Sequence, residues 1–242
     1  MLDKNLAASL LAATALVSAT ATAQTTAPQS TTTEETRPAA PAYNDVWSGV
    51  SPWLVRVRAI YIDPHPSNGA TGNGLVPADS IQVDSVWAPE VDISYFFTRN
   101  FALELVLTYP QRHDVSINSG PLQGNIGSIK QLPPTLLAQW HFPTSTGFKP
   151  YVGAGVTWFW VTNNDLNISN PPLGAVLDVR TSNWGFALQA GVDYAINRNW
   201  YLNADFKYIW VSTKITDTIN ANVNTTLDVN PAVWGVGVGY RF

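Results

Sequence analysis

Cysteine is absent from this sequence of 242 residues, which excludes disulfide bonds and metal sites built on thiolate ligands. Charge is scarce as well: 12% of the residues are Asp, Glu, Lys or Arg, about half the share of an average globular protein. The formal net charge is −4 and no basic cluster occurs, so we expect no nucleic-acid partner. Aromatic residues are abundant by contrast, at 12% of the chain with 10 tryptophans. The chain is thus poor in charge and rich in aromatic side chains.

Long apolar runs are missing from most of the chain. Residues 1–23 have the pattern of a secretory signal peptide, with Lys4 before the apolar run 6–17 and the small residues A-T-A at 21–23. That run is too short for a bilayer-spanning helix, which needs roughly 20 residues. No apolar run downstream is long enough either, so helical membrane spans are excluded. If the protein lies in a membrane, a β-barrel is the architecture that remains.

The segment 24–46 is rich in Thr, Pro and Ala and has no apolar period, which predicts a disordered periplasmic linker. Over 47–242, eight segments alternate apolar or aromatic residues with polar ones, and this period of two is typical of strands with one apolar face. Arg56 and Arg58 share a face of the first segment, so that face must be the lumen. Long and short connections alternate between the segments. We therefore predict an all-β, eight-stranded antiparallel transmembrane β-barrel of the bacterial outer membrane, with four long extracellular loops, three short periplasmic turns and periplasmic termini.

The residues predicted to face the lumen fall into two groups. Apolar residues line its outer half: Ile60, Ile62, Val106, Leu137, Phe159, Ile209, Val211 and Val233. Charged residues lie toward the periplasm and are expected to form an ion-pair network, the polar lumen plug: Arg56, Arg58, Asp92, Glu104, His141, Asp193, Asp205, Lys207 and Arg241. The outer half is either a funnel for a hydrophobic solute or a core filled by its own side chains.

The last strand places Gly235, Gly237 and Gly239 on the lumen face, where we expect the missing side chains to leave space and to set the bore. Prolines near the outer ends of strands two to four weaken pairing and predict a lateral gate in the wall, although they could equally do no more than end strands. The prolines concerned are Pro89, Pro110, Pro133 and Pro134.

Five stretches carry a resemblance to a known family: W-L-V-R-V-R-A-I-Y-I-D-P (53–64), L-P-P-T-L-L-A-Q-W-H-F (132–142), K-P-Y-V-G-A-G-V (149–156), W-G-F-A-L-Q-A-G-V-D-Y-A-I-N-R-N-W (184–200) and the terminal G-Y-R-F. They resemble the OmpW family of outer-membrane proteins. The resemblance implies an eight-stranded barrel whose narrow apolar channel takes up small hydrophobic molecules. It also implies that the barrel-assembly machinery recognises the aromatic terminal strand during insertion, through Trp234, Val236, Val238, Tyr240 and Phe242.

The predicted function is therefore uptake of small hydrophobic molecules across the outer membrane, with lipids, such solutes and the assembly machinery as partners. A soluble barrel would have to expose either its aromatic residues or its charged face unfavourably. The alternative that stays open is a structural or adhesive barrel with a filled lumen, acting through its extracellular loops. Nothing in the sequence indicates an oligomeric state.

Catalysis, a metal and a cofactor are not expected. His113, Asp114 and Ser116 are near neighbours in one loop segment, which rarely provides the geometry of a catalytic triad. His65 and His141 lie elsewhere, without a nucleophile or metal motif around them.

Overall fold

In a computed structural model of the chain, the structure describes residues 51–168, 175–179, 182–217 and 224–242. The predicted signal peptide (1–23) and linker (24–46) lie outside these residues. Among the described residues no helix is long and apolar enough to cross a bilayer. The strands, in chain order, are β1 (Trp53–Asp63), β2 (Ser67–Asn68), β3 (Ile81–Val83), β4 (Val86–Phe96), β5 (Phe101–Thr108), β6 (Gln111–Ile117), β7 (Gly124–Leu132), β8 (Thr135–His141), β9 (Phe148–Ile168), β10 (Ala175–Val179), β11 (Ser182–Ala195), β12 (Trp200–Trp210), β13 (Ser212–Asp217), β14 (Asn224–Asp228) and β15 (Ala232–Arg241).

Eight of these strands form a closed antiparallel barrel. Their order around the wall is β1, β4, β5, β8, β9, β11, β12 and β15, and β15 returns to pair with β1. The closing ladder runs from Leu54 opposite Arg241 to Asp63 opposite Ala232. Closure leaves no open sheet edge, which is the condition for strands to cross a bilayer. The predicted eight-stranded barrel is confirmed.

Side chains alternate between the two sides of the barrel wall along each strand. In β12, for example, exposed and buried positions follow one another from Trp200 to Trp210. The outward set is apolar, and aromatic side chains of this set lie at both ends of the barrel: Trp53, Phe97, Trp200 and Phe242 at one end, Trp87, Trp158 and Trp184 at the other. Exposed aromatic side chains at both ends of an apolar band are typical of the two membrane interfaces.

The short turns follow directly from local sequence. Between β4 and β5 the hydroxyl oxygen of Thr98 accepts hydrogen bonds from the backbone N–H groups of Asn100 and Phe101. Between β11 and β12 the side-chain oxygen of Asn197 accepts from Asn199 and Trp200 in the same way. Ser, Thr and Asn side chains stabilise tight turns by such bonds. These two turns, with the connection 142–147, join strands at one end of the barrel.

At the opposite end the long connections contain paired strands, which the sequence did not reveal. The hairpin β6–β7 continues β5 and β8, β7 pairs with the outer half of β9, and β10, β13, β14, β2 and β3 add further pairs. We call this part the outer extension. Most of its inward side chains are apolar and buried, among them Val115, Ile117, Ile129, Ile215 and Leu227; the buried polar ones include Gln111, His113 and Gln131. The barrel interior therefore continues beyond the membrane band as one apolar core.

The glycines of β15 do not leave an open bore. A Cβ atom on Gly235 would lie 3.1 Å from Cγ2 of Ile60, and one on Gly239 would lie 3.1 Å from Cγ of Arg56. A Cβ atom on Gly237 would lie 2.1 Å from the backbone oxygen of Val57. The expectation that these glycines set the bore is wrong, because β1 side chains occupy the space. The glycines instead allow the arginine side chains of β1 to lie across β15.

We predict that Gly237→Ala destabilises the barrel by about 1–3 kcal/mol, because the new methyl group meets backbone atoms of β1 that cannot move without disturbing the closing ladder. Gly235→Ala is the matched control: its nearest contact is the end of the Ile60 side chain, which can shift, so the loss should be smaller. Urea unfolding in lipid vesicles, followed by tryptophan fluorescence, measures both. Equal stability of the two variants would contradict the assignment.

Candidate functional site

The site must be sought inside the barrel. Two concavities of about 630 Å³ and 470 Å³ lie on the outer wall. Their rims are exposed apolar side chains such as Trp140, Leu188 and Trp234. In a bilayer this surface contacts lipid acyl chains. The residues predicted to act inside the barrel lie elsewhere, on the buried lumen face.

Arg56 is at the centre of the first charged cluster in the lumen. Its Nε and Nη2 atoms donate to the two carboxylate oxygens of Asp193 at 3.1 and 2.7 Å. Its Nη1 atom donates to Glu104 at 3.0 Å and to the hydroxyl of Ser94 at 2.8 Å. All four side chains are fully buried. Such a bidentate pair combines charge with fixed geometry, and it joins β1 to β11 across the lumen.

Arg58, two residues further along β1, is at the centre of a second charged cluster. Its Nε atom donates to Asp92 at 2.5 Å and its Nη2 atom to Glu104 at 2.9 Å. Its Nη1 atom lies 2.7 Å from Asp205. Glu104 thus accepts from both arginines, which makes the two clusters one continuous network.

Lys207 and Glu90 extend this network toward the outside. The ammonium group of Lys207 donates to Glu90 at 2.9 Å and to Asp205 at 2.5 Å. Glu90 is buried and also lies 3.4 Å from Arg58. Glu90 is a member of the network that was not among the predicted residues of the polar lumen plug. Its position two residues before Asp92 on the inward face of β4 was the available signal.

Neutral side chains donate further hydrogen bonds to the carboxylates of Glu104 and Asp205, whereas Oδ1 of Asp92 has no partner among the described residues. Gln139 and Gln189 each donate to Glu104 at 2.8 Å, and Gln189 also reaches Asp205 at 2.8 Å. The hydroxyl of Tyr151 donates to Asp205 at 3.0 Å. Buried charges are tolerated when they are both paired and hydrogen-bonded. We call the charged and neutral residues together the ion network.

Below the ion network an apolar cluster lies beside the predicted charged residues Arg241 and His141. Leu54, Phe96, Ala102 and Tyr201 form a buried cluster there. The guanidinium group of Arg241 lies over the ring of Phe96 at 4.3 Å, and its Nε atom donates to the backbone oxygen of Ser51 at 2.8 Å. This layer separates the ion network from water at that end.

His141 sits beside this lower layer. Its Nε2 atom lies 3.1 Å from the side-chain oxygen of Gln139, and its ring stacks on Tyr151 at 4.9 Å. The structure therefore brings all nine predicted plug residues into the lower lumen, with Arg241 and His141 at its end.

Above the ion network all eight predicted apolar lumen residues are buried in one cluster. That cluster also contains the inward side chains of the outer extension. The apolar cluster therefore extends from the outer extension down to Glu90 and Lys207, with the polar side chains of Thr108, Gln111 and Gln131 at its lower end. A small cavity of about 30 Å³ lies at this boundary, lined by residues that include Val106, Phe159 and Pro133.

The barrel wall is discontinuous beside this cavity. The ladder between β5 and β8 ends at Val106 opposite Thr135, and the ladder between β6 and β7 begins at Gln111 opposite Gln131. Residues 107–110 and 132–134 stand outside both ladders, and we call this stretch the lateral gap.

Three of the four predicted gate prolines lie in the lateral gap: Pro110, Pro133 and Pro134. Pro89 lies on β4, the strand beside β5. Its backbone oxygen accepts a hydrogen bond from the backbone N–H of Tyr109 at 3.3 Å. Pro89 has no N–H with which to return that bond. The prolines thus coincide with a weakened part of the wall, and they also end strands.

The histidine cluster considered for catalysis does not assemble into a triad. In the outer extension His113 is buried and points inward, whereas Asp114 is exposed on the opposite face of β6. The Nδ1 atom of His113 lies 2.8 Å from the backbone oxygen of Asp84. Burial lowers the pKa of His113 below its ordinary value, outweighing that contact, which favours the charged form. Among the described residues no group of three or more His, Cys, Asp or Glu is placed to hold a metal ion.

Comparisons with known proteins agree with this architecture. Residues 51–242 match the OmpW family. The uncharacterized outer-membrane protein y4mB of Sinorhizobium fredii is 36% identical over 219 residues, covering 85% of this chain and 86% of the relative. Outer membrane protein W of Escherichia coli is 33% identical over 189 residues, covering 77% and 87%. The crystal structure of OprG from Pseudomonas aeruginosa has a TM-score of 0.68 at 29% identity, covering 80% of this chain and 97% of that chain.

We predict that Arg58→Met lowers the free energy of unfolding by about 3–5 kcal/mol, because it leaves the buried carboxylate of Asp92 without a cation and removes one of the two cations beside Glu104 and Asp205. Arg112→Met is the matched control, since Arg112 is exposed and its ion pair with Asp114, at 3.7 Å, is exposed as well. An exposed pair contributes about 1 kcal/mol or less. Urea unfolding of both variants in vesicles provides the comparison. Similar losses in the two variants would mean that the ion network does not stabilise the barrel.

Proposed function

Because the chain belongs to the OmpW family of outer-membrane proteins, we propose that its barrel takes up small hydrophobic molecules through the outer half of the lumen. Its relatives are bacterial outer-membrane proteins, and that membrane is its location. The proposal is one of transport without catalysis, since His113 and Asp114 point to opposite faces of their strand.

The observation that carries the proposal is the abrupt change of lining at mid-lumen. From the outer extension to Val106 and Ile60 the buried lining is an aliphatic and aromatic cluster that contains neutral polar side chains such as Gln111 and Thr135 but, among the described residues, no buried ion pair. An apolar solute gains free energy by leaving water for such a lining, about 25 cal/mol per Å² of apolar surface. One step further it would meet Arg58 and Glu90. Passing them would separate buried ion pairs at a cost of several kcal/mol, so the route does not continue along the barrel axis.

The lateral gap is the exit that we propose. It lies beside the small cavity, just above the ion network, and Pro133 belongs to both. Outside the gap is lipid, which is the solvent that an apolar solute prefers to periplasmic water. A solute would leave through the wall between β5–β6 and β7–β8 and enter the bilayer without crossing the charged layer.

Orientation and assembly are part of the same proposal. The short turns and both ends of the barrel chain would lie on the periplasmic side, with the outer extension outside the cell. Outward side chains of β15 (Trp234, Val236 and Val238) and the final Phe242 are exposed. They would contact lipid after insertion and the barrel-assembly machinery before it.

A structural or adhesive barrel is the second candidate, and the filled lumen favours it. The mid-lumen cavity has a volume of only about 30 Å³, and apolar residues such as Ile117 and Leu227 pack the outer extension. In this alternative the outer extension would act as a rigid display surface. Under the transport proposal these side chains must move aside for the solute.

Uptake by intact cells distinguishes the two functions. Cells that carry the protein should take up labelled n-octane faster than cells that lack it. Val106→Phe should reduce that uptake toward the level without protein, because the larger ring fills the cavity that Val106 lines. Leu105→Phe, on the lipid face of the same strand, is the control and should leave uptake unchanged. Identical uptake with and without the wild-type protein would favour the structural barrel.

The lateral exit has its own test. Replacing Pro133 and Pro134 together by valine restores two backbone donors and should extend the ladder across the lateral gap. We expect slower uptake of n-octane with the same amount of folded protein in the membrane. Pro150→Val, within β9 near the short turns, is the control for proline replacement as such. Unchanged uptake in the Pro133/Pro134 variant would rule out exit through the gap.

A further inference from the structure

Buried polar atoms without partners lie in the wall of the mid-lumen cavity. Within the part of the chain that the structure describes, Oγ1 of Thr108, both amide atoms of Gln111 and Oε1 of Gln131 are buried and have no hydrogen-bond partner. Their residues are 8%, 4% and 5% exposed. An unsatisfied buried polar group costs about 1–3 kcal/mol. Three such side chains around one cavity are therefore a cost that a bound group would remove.

These residues meet at the lateral gap. Gln111 and Gln131 are cross-strand partners and form the first pair beyond it. Thr108 lies on the near side, opposite Glu90 in the ladder between β4 and β5. All three line the same cavity of about 30 Å³. The polar atoms thus surround the point where the proposed route turns from the lumen into the wall.

We infer that this polar set is a binding site for a neutral hydrogen-bonding group, a hydroxyl or a carbonyl, carried by an otherwise apolar solute. The inference rests on the proposed function and narrows its solute class from small hydrophobic molecules in general to neutral amphiphiles. A carboxamide and a threonine hydroxyl together offer donors and acceptors. An alcohol, which also donates and accepts, complements them best.

Charge and size restrict the ligand further. The neighbouring ions Glu90 and Lys207 are paired with each other at 2.9 Å, so neither is left to neutralise an ionised head group. A charged group would be buried without a counter-ion, at a cost of several kcal/mol. The cavity holds a hydroxyl or a carbonyl but not a whole solute. The apolar remainder of the solute must lie along the aliphatic lumen or in the lateral gap.

A single buried water is the competing occupant, because about 30 Å³ is also enough for one water molecule. Water would satisfy the same atoms and leave no preference among solutes. The two occupants therefore differ in one measurable respect, which is whether the glutamines distinguish an alcohol from an alkane of the same size.

The test uses the full barrel in lipid nanodiscs and two probes, 1-octanol and n-nonane, which have equal numbers of non-hydrogen atoms. The side-chain amide signals of Gln111 and Gln131 are followed by NMR. We expect octanol to shift them saturably and nonane not to shift them. In the double variant Q111L/Q131L, octanol binding relative to nonane should weaken about tenfold, the equivalent of one to two neutral hydrogen bonds. Gln123→Leu, at an exposed position, should bind like the wild type.

The outcomes are separable. If both probes affect the amides equally, or if octanol binding survives the double substitution, the cavity holds water only and the inference is overturned. The wild-type comparison of the two probes decides the matter even if the double variant does not fold. Octanol binding that depends on the glutamines, in a protein that speeds the uptake of neither probe into cells, would support this site and refute the transport function. Uptake of both probes without amide shifts would support the transport function and refute this binding site.

Discussion

A barrel of eight strands encloses an interior that side chains fill, so charges placed there have almost no water to solvate them. Arg56 and Arg58 are tolerated in this lumen because carboxylates from β4, β5, β11 and β12 reach them within hydrogen-bond distance. The network thereby ties β1 to four other strands across the lumen, independently of the ladders in the wall. It also explains the glycines of β15, since Gly235, Gly237 and Gly239 make room for the side chains that β1 sends inward.

The position of the ion network decides what the rest of the lumen can do. An apolar cluster lies below it and a larger one above it, so water at neither end of the barrel reaches the charges directly. An apolar solute gains by entering the upper cluster and loses at the first ion pair. The wall is interrupted at that same height, where residues 107–110 and 132–134, with Pro110, Pro133 and Pro134 among them, lie outside the β5–β8 and β6–β7 ladders. The charged layer and the lateral gap are thus two parts of the proposed route.

The sequence predicts which residues face inward because side chains alternate strictly along a barrel strand, and one pair such as Arg56 and Arg58 identifies the polar side. It does not predict which charges pair, because partners such as Arg56 and Asp193 are 137 positions apart along the chain and meet only once the register is set. Glu90 is a different case, since the alternation along β4 already places it on the inward face two residues before Asp92. The strands of the outer extension were missed because Gly, Asn and Ser interrupt their alternation. The close packing at Gly237 depends on how near the backbone of β1 approaches, which composition cannot indicate.

Two polar regions of the same lumen differ in how far their buried polar groups are paired. This difference bears on which region stabilises the barrel and which could bind a solute. In the ion network every carboxylate is paired with a cation, and neutral donors such as Gln139, Gln189 and Tyr151 add hydrogen bonds, although Oδ1 of Asp92 has no partner among the described residues. At the cavity above it, Gln111 and Gln131 keep buried amide atoms without a partner from the described chain. Aliphatic side chains of similar volume would fill those positions at no such cost. A barrel built only to be stable has no use for glutamine there, whereas a barrel that must hold a solute's polar group beside an opening in its wall does.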